Sequence, residues 1–140
     1  MDLPDIGSMS STHSANPLCC AAGKANLEAL IEDHLIDNSF ELGQIFHEKL
    51  NIIMSQFPEH IKYVYGEGLL AGVIFQDKHG DPLTSLCDTI SEMAFHRGLL
   101  VVHTGRESIK LAPPLSINKE ALIEGLNVFK DCIDDAIHGS

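Results

Sequence analysis

The chain has 140 residues, 44% of them hydrophobic, which allows one compact domain with a core and excludes two complete domains. Its formal net charge of −11 argues against a nucleic-acid binder, because such proteins concentrate cations on one face. No stretch approaches the roughly 20 apolar residues that span a bilayer, and the first residues lack the pattern of a secretion signal, so we expect a cytoplasmic protein with no membrane partner.

The N-terminal part of the chain predicts a loop followed by two helices. Residues 1–15 are rich in Ser and lack any periodicity, which is typical of a loop. Residues 16–36 begin with an Asn-Pro pair, which favours a helix start, and carry a small, alanine-rich face suited to close packing. An apolar stripe at helical spacing predicts a second helix over residues 38–57, which Pro58 ends.

Two pairs of short apolar runs predict β-hairpins. The runs 61–65 and 69–76 flank the glycine-containing segment 66–68, which favours a tight turn between paired strands. The runs 99–103 and 108–112 predict a second pair of strands around another glycine-containing turn.

Two further helices complete the predicted order. Asp81 and Pro82 are expected to cap a third helix, and Gly98 stands where a left-handed C-terminal cap belongs. Asn118 is expected to cap the last helix. Helices and strands interspersed in this way predict an α+β fold, with the helices packed on one face of a small sheet.

The cysteines and histidines do not form a recognisable metal motif. No cysteine pair has the C-x-x-C spacing, so we expect reduced, mostly buried thiols. The eight histidines occur singly, without an H-E-x-x-H arrangement, so no metal site is expected. Glu92 and His96 lie one helical turn apart, which indicates an ordinary intrahelical pair.

Four landmarks carry a resemblance to a known family. Thr12 and the Asn-Pro-Leu of residues 16–18 match an S/T-x-x-x-N-P-L signature that leads into an alanine-rich helix. Segments 66–72, 97–100 and 111–115 resemble, in the same order, a strand turn, a helix-to-strand junction and a Pro-Pro landmark. The chain therefore resembles the C-terminal portion of a fold-type I, class III pyridoxal-phosphate (PLP) aminotransferase.

The resemblance implies a domain division and a cofactor. Residues 1–36 would be the end of the large PLP-binding domain with the interdomain helix, and residues 37–140 the small C-terminal α+β domain. In the family, which forms homodimers, the threonine of the signature crosses the interface to the PLP phosphate held by the neighbouring subunit, a role that falls on Thr12 with Ser11 beside it. A phosphate dianion does need several donors, although the hydroxyl cluster alone would also be explained by a simple turn before the helix.

The family's catalytic lysine has no counterpart in this chain. PLP chemistry requires a lysine that forms a Schiff base, and none of the seven lysines present stands in the family's lysine context. We therefore expect no catalytic residue here, an isolated chain that is inactive and binds PLP weakly, and exposed apolar faces that favour dimerisation or poor solubility.

The substrate contact also departs from the family pattern. Many members have an arginine just before the Pro-Pro landmark, where a guanidinium clamps a substrate carboxylate; here the residue is Lys110. Arg106 in the preceding turn is a second candidate, and each residue is about equally well explained as a solvated surface residue. The lysine suggests a substrate without an α-carboxylate at this spot, such as a diamine, an ω-amino acid or an amino sugar.

Three functions remain open at this point. The first is an aminotransferase that moves an amino group from an amine donor to a keto or aldehyde acceptor. The second is a PLP-dependent aminomutase or racemase of the same fold. The third is a non-enzymatic α+β interaction module without a cofactor.

Overall fold

A computed structural model of the chain describes Thr12 and residues 15–139. Most of the predicted N-terminal loop, with Ser11 in it, lies outside the described residues. The described residues up to Leu35 form one compact unit, and those from Ile36 form a second, larger one. The predicted domain boundary after residue 36 stays a prediction.

Helix α1, Pro17–Glu32, begins where the sequence predicts. The Asn16 side chain caps it by accepting hydrogen bonds from the amides of Leu18 and Cys19, at 2.9 and 3.4 Å. The helix ends earlier than predicted, because His34 adopts a left-handed backbone conformation with φ 52°. No described residue of α1 is buried, so the close packing expected for its alanine-rich face is not found within the described chain.

Helix α2, Leu35–Gln56, starts three residues before the predicted position and ends just before Phe57. The predicted apolar stripe is confirmed, and its buried members include Leu42, Phe46, Leu50 and Ile53.

Four antiparallel strands form one sheet. They are β1 (Ile61–Glu67), β2 (Leu70–Phe75), β3 (Val102–His103) and β4 (Ser108–Leu111), in the spatial order β1-β2-β4-β3. Both predicted strand pairs form. β3 is shorter than predicted, and the first predicted residue, Leu99, instead closes the C-terminal end of the preceding helix, where its amide donates to the Ala94 carbonyl.

Helix α3, Thr84–His96, does not begin at the predicted cap. Asp81 and Pro82 lie outside it, and the N-cap is Leu83, whose side chain makes no capping bond. The reason is that Pro82 pairs with Gln76 in a β-bridge and the Leu83 amide donates to the Phe75 carbonyl, so the segment is extended up to the helix. Beyond the other end, Gly98 has the predicted positive φ, 80°.

Helix α4, Lys119–His138, is capped as predicted, because the Asn118 side chain accepts a hydrogen bond from the Ala121 amide at 2.8 Å. Helices α2, α3 and α4 share one core with one face of the sheet. In β2 the buried residues Ala71, Val73 and Phe75 alternate with more exposed neighbours, as in a sheet packed on one side. The α+β prediction is confirmed.

Helix α2 and the β1–β2 turn approach each other unusually closely at two glycines. A Cβ atom added to Gly43 would lie 2.6 Å from the Cα of Gly68. The Ser39 hydroxyl, one helical turn earlier, accepts a hydrogen bond from the Leu69 amide at 3.3 Å. Glycine at both positions is therefore what allows α2 to lie against the turn.

No helix in the described part of the chain combines the length and the apolar character that a membrane crossing requires.

Candidate functional site

Lys110 lies on the face of the sheet opposite the helices. It is in β4, between Gly72 of β2 and Val102 of β3 in the strand register. Its neighbours Ile109 and Leu111 are buried on the helix side, so alternation along the strand directs Lys110 to the other side, where it is exposed. We call this side the outer face of the sheet.

A shallow recess of about 350 Å³ opens on the outer face beside Lys110. Its lining comes from β1, β2, β4 and the β3–β4 turn, and comprises Tyr65, Gly66, Leu70, Ala71, Gly72, Ile74, Thr104, Ser108 and Lys110. The floor of the recess is open at Gly72, where an added Cβ atom would meet no heavy atom within 4 Å. The size of the side chain at this position therefore sets the volume of the recess.

Tyr65 lines one side of the recess, and its ring stacks on that of Tyr63. Tyr65 pairs with Gly72 across the strands, and Tyr63 pairs with Ile74. Their rings stack with centroids 5.4 Å apart and an angle of 28° between the planes. The side chain of Tyr65 is 59% exposed, so its ring is available to contact a ligand.

Two hydroxyls lie on the other side of the recess. The Oγ1 atom of Thr104 and the Oγ atom of Ser108 are 2.6 Å apart. The Thr104 amide also donates to the Ser108 carbonyl at 3.1 Å, which fixes the pair at the base of the β3–β4 turn. Because the hydroxyls bond to each other and Thr104 Oγ1 also lies 3.3 Å from the Ser108 carbonyl, at most one of them has a hydrogen free for a ligand. The Lys110 ammonium group in the same recess adds a charged donor, and together they suit a carboxylate.

Arg106 is not brought together with Lys110 in the recess. Its side chain is 78% exposed, in the turn before β4, and its Nε atom lies 3.3 Å from Oε2 of Glu107. That oxygen is buried and has no aligned hydrogen bond, so the contact is an ion pair only. The prediction that Arg106 contacts substrate is untested.

Thr12 is an exposed turn residue four positions before the α1 cap, and Ser11 lies outside the described residues. The Thr12 hydroxyl suits a phosphate oxygen as hydrogen-bond donor. The first amides of α1 do not serve this purpose, because those of Leu18 and Cys19 already donate to the Asn16 side chain. Thr12 thus fits one contact to a phosphate whose other donors come from elsewhere, and its predicted role is untested.

Only part of the cysteine prediction is confirmed. All four thiols are free; Cys87 and Cys132 are buried, but Cys19 and Cys20 are exposed on α1. Burial raises the pKa of the Cys87 thiol to about 12, with a further contribution from the charges of Asp88 and Glu107. Among the described residues, no group of three or more His, Cys, Asp or Glu side chains could hold a metal.

The predicted pair of Glu92 and His96 is confirmed. Their Oε1 and Nε2 atoms lie 3.9 Å apart on the exposed side of α3, as expected for an intrahelical surface pair.

Known proteins match the chain over nearly its whole length. Residues 1–133 match the family model for class-III aminotransferases. The chain is 33% identical over 130 residues to the mitochondrial ornithine aminotransferase of Arabidopsis thaliana, covering 91% of this chain and 26% of that protein. It is also 33% identical over 135 residues to an alanine/serine racemase of Pyrococcus horikoshii, covering 95% of this chain and 28% of the relative.

A solved aminotransferase structure has the same fold as this chain. The acetylornithine aminotransferase from Elizabethkingia anophelis superposes with a TM-score of 0.81 at 28% sequence identity, covering 96% of this chain and 32% of that one. The chain thus spans between a quarter and a third of the length of these relatives. The family model, the relatives and the α+β fold agree: this chain belongs to the class III aminotransferase family.

Proposed function

We propose that the complete protein is a PLP-dependent aminotransferase that moves an amino group from an amine donor to a keto or aldehyde acceptor. The supporting observation is the position of Lys110, the one cation among the described residues that line a recess on the face of the sheet opposite α2, α3 and α4. Membership of a transferase family argues against the alternative of a free-standing interaction module.

Thr12, together with Ser11, is proposed to hold the cofactor. When bound, PLP supplies the electron sink that makes amino-group transfer possible. The chain's own part is to donate hydrogen bonds from these hydroxyls to a phosphate oxygen. We further propose a homodimer in which this loop reaches the cofactor of the neighbouring subunit, in agreement with the family resemblance of the loop.

Lys110 is proposed to bind the substrate. An ammonium group provides a positive charge without the planar fork of a guanidinium, so it holds a carboxylate less rigidly than arginine does. A donor whose reacting amine is remote from its carboxylate, such as an ω-amino acid, tolerates this looser hold. The similarity to ornithine and acetylornithine aminotransferases, whose names refer to diamino acids, supports the same substrate class.

The decisive experiment measures both half-reactions of the complete protein after Lys110→Ala. Loss of a charge-assisted hydrogen bond is expected to raise KM for carboxylate-bearing substrates about 10- to 100-fold, with a smaller change in kcat. Lys78→Ala, which removes an exposed lysine in the loop after β2, is the matched control and should leave both constants unchanged. Unchanged half-reactions in Lys110→Ala would rule out the substrate role.

Racemisation is the second candidate, favoured by the similarity to the alanine/serine racemase. The two activities separate in one assay, in which a single amino-acid enantiomer is supplied with and without a keto-acid acceptor. Loss of optical activity without an acceptor indicates a racemase, and a new amino acid formed only with the acceptor indicates an aminotransferase. An aminomutase would instead move the amino group within the supplied compound, which NMR of the product detects.

We also propose that the protein works in the cytoplasm. Fractionation of cells that express the complete protein tests it, and recovery of the protein in an organelle fraction would contradict it.

A further inference from the structure

His103, the last residue of β3, uses both of its ring nitrogens to join two parts of the fold. Its Nδ1 atom lies 2.9 Å from Oδ1 of Asp88 on α3. Its Nε2 atom lies 2.7 Å from the carbonyl oxygen of Arg106 in the β3–β4 turn. The His103 side chain is only 16% exposed, so the two contacts hold a largely buried ring in one orientation.

The contact with the Arg106 carbonyl requires a hydrogen at Nε2, because a carbonyl oxygen only accepts. The contact with Asp88 is a close pairing of a ring nitrogen and a carboxylate oxygen at 2.9 Å. The charged groups near the ring are Asp88 on α3 and, in the turn, Arg106 with its ion-pair partner Glu107. Cys87 of α3 adds no charge, since burial raises the pKa of its thiol to about 12.

The hydrogen bond from His103 to the Arg106 carbonyl stabilises the tip of the β3–β4 turn, which lies beyond the strand hydrogen bonds. At the base of the turn, Thr104 bonds to Ser108, and the Glu107 carbonyl accepts from the Phe75 amide at 2.7 Å. Between them the backbone passes through Gly105, with φ 84°. His103 binds the Arg106 carbonyl and thereby restrains the backbone from which the Arg106 side chain extends.

We propose that His103 is a positioning residue that ties the β3–β4 turn to α3 and so orients Arg106 toward a carboxylate on the substrate. The substrate part of this proposal rests on the proposed function and on the prediction from the sequence that Arg106 is a second substrate contact beside Lys110. The hold on the turn does not, because it follows from the two contacts of the ring.

Two substitutions separate the two bonds. In His103→Asn the side-chain amide occupies the place of Nδ1, so it retains the bond to Asp88 and loses the bond to the turn. In His103→Gln the amide reaches the place of Nε2 and retains the bond to Arg106. We expect His103→Asn to raise KM for a carboxylate-bearing substrate about tenfold with kcat little changed, and His103→Gln to stay within about twofold of wild type.

Hydrogen exchange tests the hold on the turn independently of activity. In the complete protein, His103→Asn should speed amide exchange in residues 104–107 and leave the β1–β2 hairpin unaffected, whereas His103→Gln should preserve protection. Melting temperatures of the variants check that each is folded.

The outcomes distinguish this proposal from the proposed function. Equal kinetics in His103→Asn and His103→Gln, or an unchanged KM in His103→Asn, would overturn the positioning role. Unaltered exchange in the turn would overturn the hold itself. A complete protein that transfers no amino group from any donor would defeat the proposed function, and the exchange data would still decide whether His103 holds the turn.

Discussion

At Gly72, the addition of a side chain of only a few carbon atoms would reduce the volume of the recess. A Cβ atom there meets nothing within 4 Å, and β-branched residues suit strands, so substitution should preserve the fold. In the complete protein we expect Gly72→Ala to raise KM for the amine donor modestly and Gly72→Val to raise it by about tenfold or more, as the recess fills. Steady-state kinetics of both variants test this, and equal kinetics in wild type and Gly72→Val would show that the substrate does not enter the recess.

Lys110 also allows a gain-of-contact test. Lys110→Arg introduces the planar fork that binds a carboxylate through two parallel hydrogen bonds. We expect KM for α-carboxylate donors to fall several-fold, with no improvement for a simple diamine that lacks a carboxylate. An equal change in KM for both donors would show that the cation at position 110 does not bind a substrate carboxylate.

The four thiols should differ in reactivity in a way set by burial. In this chain Cys19 and Cys20 are exposed and should react quickly with a thiol reagent at mildly alkaline pH, whereas Cys87 and Cys132 should react only after unfolding. A timed thiol titration with and without denaturant measures this. Four equally fast thiols would contradict the buried positions.

The raised pKa of Cys87 also predicts how stability depends on pH. The folded chain favours the neutral thiol, so this contribution to stability is complete below the ordinary thiol pKa of 9.0 and is lost as the pH rises toward about 12. Urea unfolding midpoints should therefore fall over that range, and the fall should be smaller in Cys87→Ala. An identical pH dependence in the variant would argue against the shift.

At the scale of elements, the contact between α2 and the β1–β2 turn can be tested at Gly43, a helix residue for which helix propensity alone would favour alanine. Alanine is better than glycine in a helix interior by about 1 kcal/mol. Gly43→Ala should nonetheless lower the melting temperature, because its Cβ atom would lie 2.6 Å from the backbone of Gly68. Gly23→Ala on α1, where an added Cβ atom meets nothing within 4 Å, is the matched control and should not destabilise the chain.

The elements also show where local sequence signals are sufficient. Asn16 and Asn118 were predicted as caps and do cap α1 and α4, because a cap depends only on a side chain and the next three amides. Asp81 failed as a cap because Pro82 pairs with Gln76, just after β2, in a β-bridge that keeps the segment extended. The break at His34 was missed because neither glycine nor proline marks it.

At the scale of the whole molecule, the isolated chain exposes apolar side chains on both of its units. On α1, Leu18 is 79% and Ile31 is 72% exposed, and on the outer face of the sheet Tyr65 and Leu70 are 59% and 50% exposed. Such surfaces favour association. We expect sedimentation of the 140-residue chain to show dimers or larger species, and a soluble monomer at all concentrations would contradict this.

The isolated chain should also fail to bind PLP as the family does. No lysine of the chain stands in the family's lysine context, so added PLP should produce no visible Schiff-base absorbance that survives dialysis. The complete protein is the positive control. A stable absorbance band with the isolated chain would show that one of its own lysines binds the cofactor.

The amino-acid sequence alone determined the family, the α+β class and the placement of most elements, since periodicity, caps and ordered motifs are local properties of the chain. It also identified Lys110 as a candidate, because that residue adjoins the Pro-Pro landmark. Tertiary structure decided which residues from other strands lie beside it: Tyr65, Gly72 and Thr104 join Lys110 in one recess only through strand pairing. The contact between His103 and Asp88 of α3 also depends on tertiary structure. These residues are 15 positions apart and meet only when the helix packs on the sheet.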